Sequence, residues 1–333
     1  MVFSVRFMMV GLVHMSIDGI KGLGPTFFAA VVFLGLCVLL CVAEPRFGTR
    51  HNMINLGLQA APLILAALAQ AIVVVSGGID LSQGSVVALA GVIGVSVAVE
   101  TDSAFAGWAG VVAVAALLGA INGVLVAWVR VPAFIVTAGM LASADGLAFL
   151  FTGGLPIEFP PVDYSWFGRG FVGDIPASIP TTLAISGVVF WIMHRTRVGR
   201  SIYLAGDNPS ASHIVGINPK RCQFYAFMIA GVLTGFAAVL LTGRIDSAPP
   251  SLYPGLPFEA IAAVAIGGIA MTGGEGAIWR AVVGVIPVTV AVNGLNLLGV
   301  GNALQLVTIG VVTVVVVAIQ SGSNVFPTRN HRA

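Results

Sequence analysis

Residues 54–76 read INLGLQAAPLILAALAQAIVVVS, a stretch without a single charged side chain. As a helix it measures about 35 Å, which exceeds the ~30 Å hydrocarbon core of a bilayer. Apolar runs of spanning length recur along the chain, at about 27–43, 54–76, 81–99, 108–129, 132–151, 178–194, 221–242, 277–299 and 303–320. The sequence therefore predicts an all-α integral membrane protein.

A tenth, shorter apolar run covers 258–272 and carries Gly267 and Gly268 near its end. Its length is marginal for a full crossing, so it is either a tenth span or a re-entrant or broken helix. We expect about ten transmembrane helices. The glycine-bearing stretch 77–84 is similar to 267–274, and transporters are often built from internal repeats with broken helices near the substrate route.

Composition agrees with a membrane protein. Hydrophobic residues make up 58% of the chain and charged residues 8%, against about 25% charged residues in soluble domains. A formal net charge of +2 argues against a nucleic-acid binder. The three cysteines, Cys37, Cys41 and Cys222, lie on or beside apolar segments and are predicted to be buried hydrophobes, so no metal site is expected.

The positive-inside rule gives an orientation. With the N-terminus inside and ten crossings, both termini are cytoplasmic, and eleven of the fifteen Lys and Arg residues fall in cytoplasmic segments. This orientation divides the chain into a cytoplasmic lead-in (1–26), one transmembrane domain (27–320) with an outer loop (152–177) and a cytoplasmic loop (195–220), and a cytoplasmic tail (321–333). The outer loop is rich in proline, which excludes a spanning helix, and is predicted to form a lid.

The cytoplasmic loop carries clear helix punctuation. Asn208 suits an N-cap, Pro209 the first helical position and Gly216 a left-handed C-cap, which predicts a two-turn helix over 209–215. One side of that helix is apolar, so it either docks in a partner's groove or rests on the protein's own membrane surface. The candidate docking residues are Asn208, Pro209, Ala211, His213, Ile214, Val215 and Gly216.

A second candidate set consists of polar residues in or beside the apolar runs. Such a side chain must find a partner or line water. The candidates for lining a translocation path are Asp80, Ser82, Asn122, Thr137, Glu259, Asn293 and Asn296. The alternatives are that Asp80 is a helix cap and that the Asn and Thr side chains form hydrogen bonds between helices.

Several of these segments resemble one known family. Residues 197–211 (RVGRSIYLAGDNPSA) resemble the cytoplasmic coupling loop of permease subunits of ribose-type ABC importers. Residues 77–85 (GGIDLSQGS), 130–140 (RVPAFIVTAGM) and 293–300 (NGLNLLGV) resemble further segments of that family, in the same order. The similarity extends over about 52–320. Asp207, Ser212 and Gln83 depart from the residues that are usual there.

The resemblance implies a permease subunit of an ATP-driven importer for a monosaccharide or similar small polar solute. In that family a helix of the coupling loop fits a cleft on a cytoplasmic ATPase subunit. A periplasmic or extracellular solute-binding protein delivers the solute, and two permeases, identical or paralogous, pair in the bacterial cytoplasmic (inner) membrane. The partner ATPase uses the ATP, so this chain is expected to bind no cofactor of its own.

Missing motifs argue against an enzyme. The chain contains no G-x-x-x-x-G-K-[ST] phosphate loop, no G-x-S-x-G nucleophile elbow and no H-E-x-x-H zinc motif. Energy for transport must then come from a separate subunit. The alternative function is an ATP-independent secondary carrier or channel, for which the acids near the spans, Asp80, Asp145 and Glu259, are few. Which solute is carried stays open at the level of sequence.

Overall fold

The computed structural model describes residues 25–158 and 160–325. Most of the predicted lead-in and the end of the predicted tail, 1–24 and 326–333, lie outside the described residues. The chain divides into two units, Met1–Pro45 and Arg46–Ala333. In the first unit the described part contains one uniformly apolar helix, α1 (Pro25–Ala43).

Helices dominate the second unit. In chain order they are α2 (Arg50–Val75), α3 (Gln83–Thr101), α4 (Ala104–Val124), α5 (Ala133–Thr152), α6 (Trp166–Arg169), α7 (Ser178–Arg195), α8 (Arg197–Asp207), α9 (Pro209–Ile214), α10 (Pro219–Ile245), α11 (Leu256–Ile266), α12 (Trp279–Leu297) and α13 (Asn302–Val325). A π-helical turn (Leu125–Val129) extends α4, and 3₁₀ turns occupy Pro45–Gly48 and Val162–Ser165.

A helix occupies each of the ten predicted apolar runs. Within the described residues, six helices are long and apolar enough to cross a membrane: α2, α3, α4 with its π turn, α5, α10 and α12. Shorter apolar helical segments, Phe33–Ala43, Leu256–Ile266 and Ala303–Val315, accompany them. The protein is thus an all-α membrane protein, as predicted, whereas ten crossings with both termini cytoplasmic remain a prediction.

The shortest predicted run is helical only in part. Its helical part, α11, has 11 residues and is therefore about 16 Å long, half the thickness of the hydrocarbon core. The segment before it runs back along α3: a Cβ on Gly91 would lie 3.8 Å from Leu252, and one on Gly84 would lie 2.7 Å from the Tyr253 carbonyl oxygen. Within 258–272 the helix thus ends at Ile266, and whether this segment crosses the membrane or re-enters remains a prediction.

Glycines allow the central helices to approach closely. A Cβ on Gly119 of α4 would lie 2.8 Å from the Cα of Gly231 on α10, and one on Gly94 of α3 would lie 2.8 Å from the Gly107 carbonyl oxygen on α4. Because lipid offers no hydrophobic drive between helices, such backbone contact is a main source of packing energy. The bundle is therefore built around α4 and α10.

The predicted outer loop contains no spanning helix but is well structured. Its strand β1 (Ile157–Glu158) pairs antiparallel with β4 (Ser247–Ala248), which follows α10, and β2 (Phe171–Val172) pairs with β3 (Ile175–Pro176). The register joins Ile157 to Ala248. The outer loop and the segment that leads down to α11 are therefore tied to each other.

Buried polar contacts fix the outer loop to the ends of the helices. The Tyr164 hydroxyl shares a hydrogen bond of 2.9 Å with the hydroxyl of Thr242, and Trp108 Nε1 donates to the Tyr164 carbonyl oxygen at 3.0 Å. Burial raises the pKa of Tyr164 to about 12, so its phenol stays neutral. Near the surface, Arg169 pairs with Asp246 at 2.6 Å.

Candidate functional site

The predicted helix in the cytoplasmic loop is present as α9, one residue shorter than expected. The Asn208 side chain caps it by accepting a hydrogen bond from the Ala211 amide at 2.9 Å, and Gly216 follows with φ +81°. The Ser212 hydroxyl is buried and donates to the Leu204 carbonyl oxygen at 2.7 Å. These bonds hold a helix of six residues that would be marginal alone.

The apolar tip of α9 points away from the protein. Ile214 is 87% exposed and Val215 is 70% exposed, while the neighbouring Ala211 and His213 are also exposed. An exposed apolar pair at the end of a capped and anchored helix is typical of a protein-interaction surface. We call Ile214 and Val215 the exposed tip.

The rest of the predicted cytoplasmic loop, where no further helix was predicted, is also helical. It forms α8, whose first turn is capped by Thr196, since its hydroxyl accepts from the Gly199 amide at 3.3 Å. Gly199, Ile202 and Ala205 are buried along one side. Tyr203 lies with its ring 6.5 Å from that of His194 on α7, and burial raises the pKa of its hydroxyl. The exposed tip is thus joined to a helix that is itself packed.

Three segments meet through their backbones where α8 ends. A Cβ on Gly206 would lie only 1.8 Å from the Val75 carbonyl oxygen at the end of α2. That oxygen accepts a hydrogen bond of 2.9 Å from the Gly274 amide, in the connection between α11 and α12. Gly273 packs against Gly77, since its Cβ would lie 3.0 Å from the Gly77 Cα. We call these five residues, Val75, Gly77, Gly206, Gly273 and Gly274, the glycine junction.

The two helices that end near the junction have the same kind of cap. After α2, Gly77 takes φ +86° and the Gly78 amide donates to the Val73 carbonyl oxygen at 2.9 Å. After α11, Gly268 takes φ +75° and the Ile269 amide donates to the carbonyl oxygen five residues earlier at 3.2 Å. The segments 77–84 and 267–274, which are similar in sequence, therefore also form the same kind of helix cap. The left-handed glycine is the first of the glycine pair in one segment (Gly77) and the second in the other (Gly268).

Four of the predicted path residues come together inside the bundle. Asp80 Oδ1 accepts from the Ser82 amide at 2.8 Å and from the Ser82 hydroxyl at 2.6 Å. Asn122 Nδ2 donates to the same hydroxyl oxygen at 3.1 Å, and the Thr137 hydroxyl donates to the Ile79 carbonyl oxygen at 3.2 Å. We call Asp80, Ser82, Asn122 and Thr137 the inner polar cluster. Each member is buried.

A glutamine pair, which the sequence reasoning missed, extends this cluster. Gln83 Nε2 donates to Gln70 Oε1 at 3.2 Å, and both side chains are fully buried. Among the described residues, three buried atoms here have no hydrogen-bond partner: Gln83 Oε1, Gln70 Nε2 and Asn122 Oδ1. The sequence signal that could have identified this pair is that a polar side chain inside a membrane span requires a hydrogen-bond partner or contact with water.

Glu259 lies close to the start of α3, whose N-cap residue, Ser82, belongs to the inner polar cluster. The Tyr253 hydroxyl donates to Glu259 Oε2 at 2.8 Å, and a Cβ on Gly84 would touch Tyr253 and Pro257. The spanning helix α3 and the short helix α11 thus begin side by side, with Gln83 and Glu259 in their first turns. A short, discontinuous helix with a polar residue near its start is typical of solute sites in transporters.

The last two predicted path residues lie elsewhere. Asn293 and Asn52 exchange two hydrogen bonds between their side-chain amides, at 2.9 and 3.0 Å, and so join α12 to α2. Asn296 is exposed, and its side-chain Oδ1 accepts from Gln305 Nε2 at 2.8 Å. Both contacts match the alternative of hydrogen bonds between helices.

The family model described as "branched-chain amino acid transport system / permease component" matches residues 52–317. No solved structure matches the chain.

Three curated relatives are similar over most of their length. The ribose import permease protein RbsC of Escherichia coli (strain K12) is 33% identical over 79% of this chain and 84% of its own length. The galactose/methyl galactoside import permease protein MglC of Salmonella typhimurium is 33% identical over 78% and 83%. The probable ABC transporter permease protein y4mJ of Sinorhizobium fredii is 31% identical over 82% and 84%.

Proposed function

Since the chain belongs to the family of branched-chain amino acid transport system permease components, we propose that it is the membrane subunit of an ATP-driven importer for a monosaccharide or similar small polar solute. It would lie in the bacterial cytoplasmic (inner) membrane and pair with a second permease, identical or paralogous. A periplasmic or extracellular binding protein would deliver the solute, and a cytoplasmic ABC ATPase would supply the energy.

The observation that carries the proposal is the exposed tip. Ile214 and Val215 would insert into a cleft of the ATPase, where they lose contact with water. The tip is rigidly connected inward, because Ser212 fastens α9 to α8 and Gly206 of α8 packs on Val75. Movement of the ATPase would therefore reach α2 and the connection after α11 through backbone contacts.

The inner polar cluster and Glu259 would line the route of the solute. Their amides, hydroxyls and carboxylates suit the hydroxyl groups of a sugar, and the unpaired atoms of Gln70, Gln83 and Asn122 offer further donors and acceptors. A sugar is favoured over a branched-chain amino acid because two of the relatives are named for ribose and for galactose. The path assignment rests on this proposal.

The test exchanges Ile214 for Glu. The side chain is 87% exposed, so the variant should fold normally, yet it should no longer retain the ATPase when the chain is purified in mild detergent from its native membrane. Ser210→Glu is the matched control, because it adds the same charge to the exposed first turn of α9 and leaves the tip intact. The ATPase and the retained proteins are identified by mass spectrometry.

Uptake separates the proposed function from its alternative. Cells that express the wild-type chain should take up labelled ribose or galactose only when the ATPase gene is intact, and leucine should not compete. Normal uptake by Ile214→Glu would show that α9 is not the docking element. Transport by the purified chain in ATP-free liposomes would instead identify a secondary carrier or channel.

A further inference from the structure

A cavity of about 470 Å³ opens beside the coupling loop, at the end of the bundle where α2 and α4 finish and α5 and α10 start. Its wall includes Val126, Arg130, Pro132, Pro209 and Lys220. A water molecule occupies roughly 30 Å³ of liquid, so the cavity is large enough for a phosphate group with its ester substituents. We call it the basic cavity.

Two cations, Arg130 and Lys220, line the basic cavity. Arg130 lies in the turn between α4 and α5, where its backbone takes φ +65°, and its side chain is exposed. Lys220 is half-buried in the first turn of α10. In the part of the chain that the structure describes, no acidic side chain forms an ion pair with either one. Two such cations in one concave surface create a local positive potential.

Exposed apolar and aromatic side chains are sequence neighbours of the residues that line the basic cavity. Trp128 is 46% exposed and packs edge-on against Phe224 at 5.1 Å between ring centroids. Val129, Phe134 and Ile135 are each more than half exposed. Tryptophan at a helix end is typical of the membrane interface, and exposed aliphatic side chains on a membrane protein face lipid tails. Because Trp128 and Val129 precede Arg130 directly in the chain, we expect a lipid-facing surface next to the basic cavity.

We propose that the basic cavity binds the phosphate of an anionic phospholipid. Arg130 and Lys220 hold the phosphate, and the acyl chains lie along Val129, Phe134 and Ile135. The N-terminal ends of α5 and α10 border the cavity, and their dipoles add to the attraction for an anion. Free phosphate offers the same headgroup chemistry, but it leaves the adjoining apolar surface without an occupant, which is why the lipid is favoured.

The position of the site gives the lipid access to the coupling loop. Pro209, the first residue of α9, and Ala205 of α8 form part of the wall. Basic pockets between helices on the cytoplasmic side bind anionic headgroups in other membrane proteins. A bound phospholipid would therefore contact both the membrane helices and the element that carries the exposed tip.

The test measures which lipid the purified full chain retains. The chain is incorporated into phosphatidylcholine nanodiscs with or without phosphatidylglycerol, and the lipids kept after transfer to detergent are counted by native mass spectrometry. Wild-type protein should retain phosphatidylglycerol in preference. The double variant Arg130→Gln/Lys220→Gln should retain about thirtyfold less, because each cation near the headgroups contributes about fivefold.

Two further variants keep the result independent of folding defects. Arg221→Gln removes a cation from the residue next to Lys220 but outside the wall of the cavity, so retention should not change. Gln223→Lys adds a cation to the wall and should raise retention about fivefold. If Arg221→Gln lost as much phosphatidylglycerol retention as the double variant, general surface charge would explain the retention and the proposal would be overturned. Displacement of the lipid by excess inorganic phosphate would identify a soluble-anion site and also overturn it.

Discussion

The glycine junction is the most sensitive place to perturb, and Gly206→Ala tests it with a single methyl group. The new Cβ would lie 1.8 Å from the Val75 carbonyl oxygen and 3.0 Å from the Gly274 amide nitrogen. Ordinary contact begins near 3.4 Å, so α8 and the end of α2 would have to separate by about 1.6 Å. Such a displacement also weakens the hydrogen bond between Gly274 and Val75.

Three energies decide the size of the effect. Alanine in place of glycine within α8 favours the helix by about 0.5–1 kcal/mol. The forced contact costs about 1–3 kcal/mol, and the weakened hydrogen bond about 0.5–1.5 kcal/mol. The costs exceed the gain: together these ranges leave a loss of about 0.5–4 kcal/mol for the closed junction, the middle of which is about 1–3 kcal/mol. A loss of this size shifts an equilibrium between two arrangements by about 5- to 150-fold.

The assay compares uptake with ATP consumption in proteoliposomes that contain the permease, its ATPase and the binding protein. Gly206→Ala leaves the exposed tip unchanged, so the ATPase should still bind, but solute moved per ATP should fall by about 5- to 150-fold. Hydrogen exchange at the Gly274 amide should become faster. Gly187→Ala is the control, because a Cβ there meets no atom within 4 Å. Normal coupling in Gly206→Ala would refute transmission through the junction.

Two further contacts give separate predictions. In a double-mutant cycle with Asn52→Ala and Asn293→Ala, unfolding in detergent should reveal a coupling energy of about 0.6 kcal/mol and at most about 1.7 kcal/mol, as for other hydrogen bonds between membrane helices; a value of zero would contradict the paired amides. The pKa of Tyr164 is raised from 10.0 to about 12, because burial favours the neutral phenol. The contribution of this neutral phenol to the stability of the folded state is therefore complete below pH 10 and is lost as the pH rises through 12. In a pH titration of phenolate absorbance, the tyrosine that is present in the wild type and absent from Tyr164→Phe should accordingly ionise near pH 12. If the two proteins differ instead by a tyrosine that ionises near pH 10, the phenol is not buried.

The positions of the membrane helices could be predicted from the hydrophobic runs, because burial in lipid requires an uncharged stretch of defined length. The run predicted at 221–242 corresponds to Pro219–Ile245, and the difference at its start arises from the Asn218 cap, whose side chain accepts from the amides of Lys220 and Arg221. Capping energies of about 1 kcal/mol extend helices past the apolar run. The small helix α9 was predicted for the same reason, since its N-cap and its left-handed glycine are both explicit in the sequence.

Other features depend on contacts between distant segments. The helix α8 was missed although its pattern is amphipathic, with Gly199, Ile202 and Ala205 buried along one side. The pairing of Gln70 with Gln83 could not be predicted, because it requires knowing how the irregular segment after α2 turns back on that helix. The candidate path residues were identified by polarity alone, and polarity does not distinguish the inner polar cluster from the separate Asn52–Asn293 contact.

The half-length helix α11 also affects how the protein enters the membrane during synthesis. Its eleven residues, one of which is Glu259, are too few to be retained as a span when they leave the ribosome. The irregular backbone before α11 carries polar groups that lipid cannot satisfy, and α3 covers it at Gly84 and Gly91. On its other side α11 packs against α12, where a Cβ on Gly284 would lie 1.9 Å from the Ala263 carbonyl oxygen. We therefore expect α11 to settle only when both α3, made much earlier, and α12, made just afterwards, are in place.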